Sequence, residues 1–239
     1  MKKMKNSVIW VTGASKGIGY AVAEKFALER ACVVLSSRSK TALDVALKKI
    51  VSLGGTGTSF VCDVRNAQSI ARTARQIEKR FGQIDVLINN AGIAPVKTFA
   101  DTPLKLFDET IGVNLRGMFA CTQAVVSGMM GRKSGTIVNV LSTAALRAFS
   151  GNAAYCASKF GALGLTRVLR TELKKYNIRV IAIFPGAVET EMWDTNERKK
   201  YHDRMLQPED VGEAIFNAVA LNSRAVAEEI ILRPMGGDL

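Results

Sequence analysis

Short apolar runs alternating with longer amphipathic segments constrain this chain more than any other feature. The runs at 7–11, 32–36, 58–62, 86–88, 136–141, 179–184 and 229–232 are strand candidates, too short to stand as helices. Between them, residues 17–29, 41–53, 67–81, 104–130, 152–175 and 208–220 read as helices. The long one at 104–130 is expected to bend or break near Gly112 and Gly117, where two glycines weaken helix propensity. Strands that are apolar at successive positions are buried on both faces, so the pattern predicts an α/β chain with a parallel sheet between two helical layers. An open doubly wound sheet in three α/β/α layers fits. A (β/α)₈ barrel would need an eighth unit and would leave the glycine cluster after the first strand unexplained.

At 239 residues the chain fits one domain, 1–239, with enough length to bury a core without metal or disulfide staples. Cys32, Cys62, Cys121 and Cys156 are far apart, which is neither a zinc nor a disulfide framework and points to a reducing, cytoplasmic setting. Lys2, Lys3 and Lys5 resemble the charged start of a leader. The apolar stretch behind them ends at Thr12-Gly13 with no small-residue cleavage site, so it reads as the first core strand. No run of about 18 apolar residues predicts a membrane span. The net charge of +12 is spread along the chain and accompanies no zinc-finger, basic-arm or RNA-binding motif. Small anionic molecules are the expected partners, rather than nucleic acid or membrane.

Thr12-Gly13-Ala14-Ser15-Lys16-Gly17-Ile18-Gly19 follows the first strand and opens the first helix. Glycines let the backbone approach a ligand closely, and the free amides of a helix N-terminus attract an anion. In that context the motif reads as a dinucleotide-phosphate site of Rossmann type. It is not a Walker A loop, since no Gly-Lys-Ser/Thr closes it. The second strand ends in Ser36-Ser37-Arg38-Ser39-Lys40, where an NAD site usually carries a carboxylate for the ribose hydroxyl. Arg38 can clamp a 2′-phosphate, with Lys16 approaching from the glycine loop, so the expected cofactor is NADP(H).

Tyr155 and Lys159 stand four residues apart on one helix face, where an ammonium would stabilise a phenolate and lower the tyrosine pKa. Such a pair can donate a proton to a reduced carbonyl. Ser142 ends the strand before that helix and can share the substrate oxygen with Tyr155. Asn114 lies mid-helix, a poor place for asparagine unless its amide has a partner. Cys156 is expected to pack away from the catalytic face, and His202, the single histidine, to lie on the loop surface, which leaves no Ser–His–Asp hydrolase.

These elements together resemble the short-chain dehydrogenase/reductase family. The resemblance rests on Thr12–Gly19, Asp63-Val64, Asn89-Asn90-Ala91-Gly92, Asn114, Ser142, Tyr155 with Lys159, and Pro185-Gly186 followed by Thr190, and covers essentially the whole chain. It implies that Tyr155 is the acid/base and Lys159 holds the nicotinamide ribose. Ser142 would orient the carbonyl, and Asn114 would position a water in a relay to Lys159. The implied cofactor cleft comprises Gly13, Ser15, Lys16, Gly17, Ile18 and Gly19, with Arg38, with Asp63 and Val64 at the adenine, and with Asn90, Ala91 and Gly92. Pro185, Gly186, Val188 and Thr190 complete it, with Val188 and Thr190 holding the carboxamide. No metal is implied, and a homotetramer built on the two long helices is.

Residues 92–103 and 186–207 read as irregular loops at the sheet's carboxyl edge and as walls of a substrate cleft. Ala94, Val96, Leu146, Phe149, Ala187, Met192 and Trp193 are candidates to line it. The layout is similar to 3-oxoacyl-[acyl-carrier-protein] reductases, and the basic charge would favour an acidic carrier. Against that, Thr171 stands where those enzymes commonly have arginine, although Arg167, Arg170 and Arg132-Lys133 are near, and the chain ends Pro234-Met235-Gly236-Gly237-Asp238-Leu239 rather than in a Val-Asp-Gly-Gly-type finish. A free ketone, quinone, sugar or pterin is the alternative substrate, and a non-catalytic NADP(H)-binding regulatory or structural protein the alternative of another class.

Overall fold

A computed structural model describes residues 4–222 and 224–237; Lys2, Lys3 and the terminal Asp238-Leu239 lie outside the described residues. Seven strands form one parallel sheet: β1 (Val8–Thr12), β2 (Cys32–Ser37), β3 (Thr56–Val61), β4 (Val86–Asn89), β5 (Gly135–Val140), β6 (Ile178–Pro185) and β7 (Glu229–Leu232). Their order is β3-β2-β1-β4-β5-β6-β7, so the chain reverses direction across the sheet between β1 and β4. In an open α/β sheet that reversal leaves a crevice beyond the strands' carboxyl ends.

The strands' uninterrupted apolar character has the expected consequence, since alternate residues feed two separate cores. Ile9, Val11, Val33, Leu35 and Ile88 pack with α1 (Gly17–Leu28), α2 (Lys40–Ser52) and α8 (Pro208–Val219). Val8, Trp10, Val34 and Leu87 pack on the opposite side, with α3 (Ala67–Phe81) and α5 (Gly117–Gly131). A third cluster joins Leu141 and Phe184 to Ala162 and Leu163 of α6 (Ala153–Leu173). Local signals set the helix starts: Ser39 caps α2 by accepting from Ala42 N at 3.2 Å, and Asn66 caps α3 by accepting from Ser69 N at 3.0 Å. No helix among the described residues is long and apolar enough to cross a membrane.

The helix at 104–130 is interrupted where its two glycines predicted, as α4 (Leu104–Ile111) and α5 joined by a π-helical turn at Gly112–Arg116 that admits an extra residue into the ladder. One expectation needs correction. The excursion at 186–207 is not wholly irregular: α7 (Thr195–Tyr201) lies within it, started by Asp194 accepting from Asn196 N at 2.8 Å. That helix buries no residue, so it gives no apolar periodicity to read.

α1 and α8 meet through Phe26 and Phe216, whose rings pack edge-on at 5.3 Å between centroids. Phe26 is completely buried. Phe26→Ala is expected to cost about 3–5 kcal/mol in urea-denaturation stability, a range set by the cavity left behind.

Candidate active site

The glycine loop is shaped by contacts that leave no room for side chains. Gly13 takes φ +65°, and a Cβ there would lie 2.9 Å from the Ala91 Cα. A Cβ on Gly19 would fall 2.4 Å from both Asn90 Nδ2 and Gly13 O. Asn90 occupies that space with purpose, since its amide donates to Thr12 O at 3.0 Å and Gly13 O at 3.2 Å. Thr12 answers from the other strand: its hydroxyl accepts from Asn90 N at 3.0 Å and Ala91 N at 3.1 Å. The ends of β1 and β4 are thereby stitched together at the sheet's reversal, and the α1 N-terminus opens onto the crevice with no side-chain cap of its own.

Across the crevice, Ser142 stands two residues beyond β5 and accepts from Ala144 N at 3.1 Å, which holds its hydroxyl at the start of a 3₁₀ turn. Tyr155 and Lys159 rise from the first turns of α6, with Lys159 Nζ 5.5 Å from the Tyr155 ring centre. Lys159 is buried and donates to Val140 O at 2.9 Å. Asn114 sits on the π turn, where its Oδ1 accepts from Ile93 N and its Nδ2 donates to Ile93 O and Ser158 Oγ, each at 2.9 Å. Ser158 passes the contact on to Tyr155 O at 2.7 Å. Asn114 and Lys159 line one small cavity with Thr12, Asn89 and Ala91. Residues from three separate elements, Asn114, Ser142 and the Tyr155–Lys159 pair, thus lie beyond the carboxyl end of the sheet.

Residues 7–201 match the family model described as short chain dehydrogenase. The chain is 36% identical over 239 residues to the sepiapterin reductase of Chlorobaculum tepidum, an alignment covering 97% of this chain and 98% of that one. It is 34% identical over 237 residues to a 3-oxoacyl-[acyl-carrier-protein] reductase of Thermotoga maritima, covering 96% of both. Among solved structures, a variant of actinorhodin polyketide ketoreductase with NADPH gives a TM-score of 0.89 at 30% identity over 98% of each chain. The chain belongs to the short-chain dehydrogenase family.

As in the sequence reading of this short-chain dehydrogenase, Cys156 is buried and His202 exposed. One electrostatic expectation reverses. Burial pushes the Tyr155 phenol above its ordinary pKa, and only the Ser142 hydroxyl pulls it back. Burial also pushes the Lys159 ammonium down, to about 8. Asp63, expected at the adenine, has its carboxylate gripped by Arg65 through Nη2 at 2.7 Å and Nε at 3.1 Å. Arg65, with a smaller pull from Arg38, holds that carboxyl below the usual range. Val96 and Met192, expected in the pocket lining, are 70% and 50% exposed.

Sequence reasoning missed Thr12 and Ser158 as partners, and a buried polar chain beneath the site. Asn89 Nδ2 donates to Thr122 Oγ1 at 3.0 Å and Asn139 Oδ1 at 2.9 Å, and Asn139 Nδ2 to Thr166 Oγ1 at 2.9 Å. The available signal was an asparagine inside each of two apolar strands.

The buried ammonium carries a stability consequence. With a native pKa of about 8 against an ordinary 10.5, the unfolded chain holds the Lys159 proton more tightly. The charge therefore opposes folding fully below pH 8, and its penalty fades as pH rises through the interval between those two values. Lys159→Met is expected to raise stability to urea at pH 7 by about 1–2 kcal/mol, after loss of the Val140 bond is counted, with the gain shrinking toward alkaline pH.

Proposed function

We propose that this chain reduces a carbonyl to a secondary alcohol with NADPH, Tyr155 acting as general acid. The observation that carries the reading is the convergence of Ser142, Tyr155, Lys159 and Asn114 on the crevice that the glycine loop opens into. The fit to a dinucleotide is physical. Gly13 and Gly19 let the loop close tightly against Ala91 and Asn90, the α1 N-terminus has no side-chain cap to compete with an anion, and Arg38 follows the end of β2 with no carboxylate beside it to repel a 2′-phosphate. In this reading the Gly13–Gly19 loop takes the pyrophosphate, Arg38 and Lys16 the 2′-phosphate, Lys159 the nicotinamide ribose, and Val188 and Thr190 the carboxamide. When bound, NADPH supplies the hydride.

The chain's residues then orient and protonate. Ser142 and Tyr155 hold the carbonyl oxygen between two hydroxyls, fixing the angle at which the carbon is presented. Tyr155, its pKa raised by burial, stays a neutral phenol at pH 7 and delivers its proton to the developing alkoxide. Asn114 holds Ile93 and Ser158, and through Ser158 the Tyr155 backbone, so it positions the acid; a water beside it would reprotonate Lys159.

The layout favours a 3-oxoacyl thioester as substrate, and the net charge of +12 suits encounter with an acidic acyl carrier. One observation favours the second reading, a free ketone or pterin. Arg167 pairs with Glu229 at 3.2 Å, and Arg170 with Glu229 at 3.3 Å and Glu228 at 3.6 Å, so the two arginines nearest the carrier-binding position are already neutralised. A homotetramer is the assembly proposed.

Oxidation of NADPH and NADH should be followed optically with a short 3-oxoacyl thioester, simple ketones and a dihydropterin ketone. NADPH is expected to be preferred, and Tyr155→Phe to lose about 10²–10⁴-fold in turnover. Tight cofactor binding with negligible turnover of every carbonyl would replace this reading with a regulatory NADP(H)-binding protein.

A further inference from the structure

The segment that follows β6 lies directly on the glycine loop. A Cβ built on Gly17 would stand 3.2 Å from Thr190 Cγ2, so the two loops touch through a methyl group. One residue further on, the Glu191 carboxylate forms an ion pair with the Lys16 ammonium. The pair joins the first loop of the fold to the last excursion before α8. Its side chains are 63% and 60% exposed, so charge rather than packing holds it. Lys16 accordingly holds the Glu191 carboxyl below the usual carboxylate range, with a smaller pull from Arg198 on α7.

The rest of the excursion is anchored separately. Glu189 N donates to Leu206 O at 2.8 Å, and the Glu189 carboxylate takes Gln207 Nε2 at 3.1 Å and His202 Nδ1 at 2.6 Å. The segment can therefore keep its shape when Glu191 changes partner. Glu191 also has a second cation within electrostatic range in Arg198, whereas Lys16 is the ammonium of the glycine loop itself.

A lysine ammonium is a compact point charge of one unit, so a carboxylate paired with it offsets the charge it offers to a second anion. In this structure the anion is Glu191, yet Lys16 is one of two residues assigned above to a 2′-phosphate. We propose that Glu191 competes with the 2′-phosphate of NADP(H) for Lys16 and so sets how sharply the chain separates NADPH from NADH. The inference rests on the dinucleotide reading of the glycine loop and names a specificity-determining residue that lies outside that loop. Arg38 carries the standing preference for the phosphate, while Lys16 adds to it only after leaving Glu191. Cofactor choice is thereby weakened by a carboxylate that belongs to the substrate-side excursion.

The test is calorimetric binding of NADP⁺ and NAD⁺ to the full chain, to Glu191→Gln, to Lys16→Met and to the double variant. All the changed side chains are exposed, so folding is not at stake. In Glu191→Gln the ratio of NADP⁺ to NAD⁺ affinity is expected to rise about three- to five-fold, the range open to an exposed ion pair. The rise should vanish in the Lys16→Met background and shrink with added salt. Equal gains for both dinucleotides would overturn the proposal, because Glu191 would then be acting as a general repulsion. A gain that survives Lys16→Met would overturn it too. A wild-type chain that prefers NADP⁺ while Glu191→Gln leaves the ratio unchanged sinks this inference and spares the parent reading; binding of neither dinucleotide sinks both.

Discussion

The site depends on a seam between two strands that are neighbours in space and 74 positions apart at their nearest ends, Thr12 of β1 and Val86 of β4. Thr12 and Asn90 exchange hydrogen bonds in both directions across it, side chain to backbone each way. The sheet reverses its order here, so no helix crosses over to cover the strand ends. A crevice without covering structure would leave backbone amides and carbonyls exposed in irregular positions. The Thr12–Asn90 exchange satisfies them and fixes the glycine loop's shape, and every later element is placed relative to that loop.

The second constraint is that two of the groups proposed for catalysis, Asn114 and Lys159, are buried before any ligand arrives. An ammonium held in the interior on a strand carbonyl is unfavourable in a stable core, and so is any amide there left without a partner. Both groups are tolerated because the surrounding bonds over-determine their positions. The Asn114 amide is used on both its oxygen and its nitrogen, and Ser158 links it to the helix that bears Tyr155. The polar atoms are therefore preorganised at the cost of some stability, as expected where function rather than folding selects a residue.

Much of this was legible in the amino-acid order. Successive apolar residues in the strands announced two-sided burial, and the glycine spacing announced the loop. What escaped the sequence reading was geometry that periodicity does not encode. The π turn at 112–116 leaves the apolar pattern of a long helix nearly intact, so two glycines suggest a bend without specifying an inserted residue. α7 packs no side chain into a core and gives no signal at all. The tyrosine's electrostatics were misjudged because i,i+4 spacing establishes that an ammonium is near, but not how far burial lifts the phenol itself. Arg65 escaped for a related reason: a surface arginine two residues from an aspartate is ordinary in sequence, and only the structure shows it closing on that carboxylate.

The buried chain from Thr122 through Asn89 and Asn139 to Thr166 has a consequence beyond the site. Strands that are apolar on both faces present similar rows after a one-place slip, so a buried polar pair adds a check on their alignment. Asn89 and Asn139 are paired residues in the β4–β5 ladder, and each reaches on to a threonine in a helix, α5 in one case and α6 in the other. Slipping β4 by one place against β5 would carry the Asn89 amide away from both Asn139 and Thr122 and leave it unpaired in a dry interior. The four side chains thus act as a vernier for assembly, admitting one alignment of the central strands and making the neighbouring ones fail together.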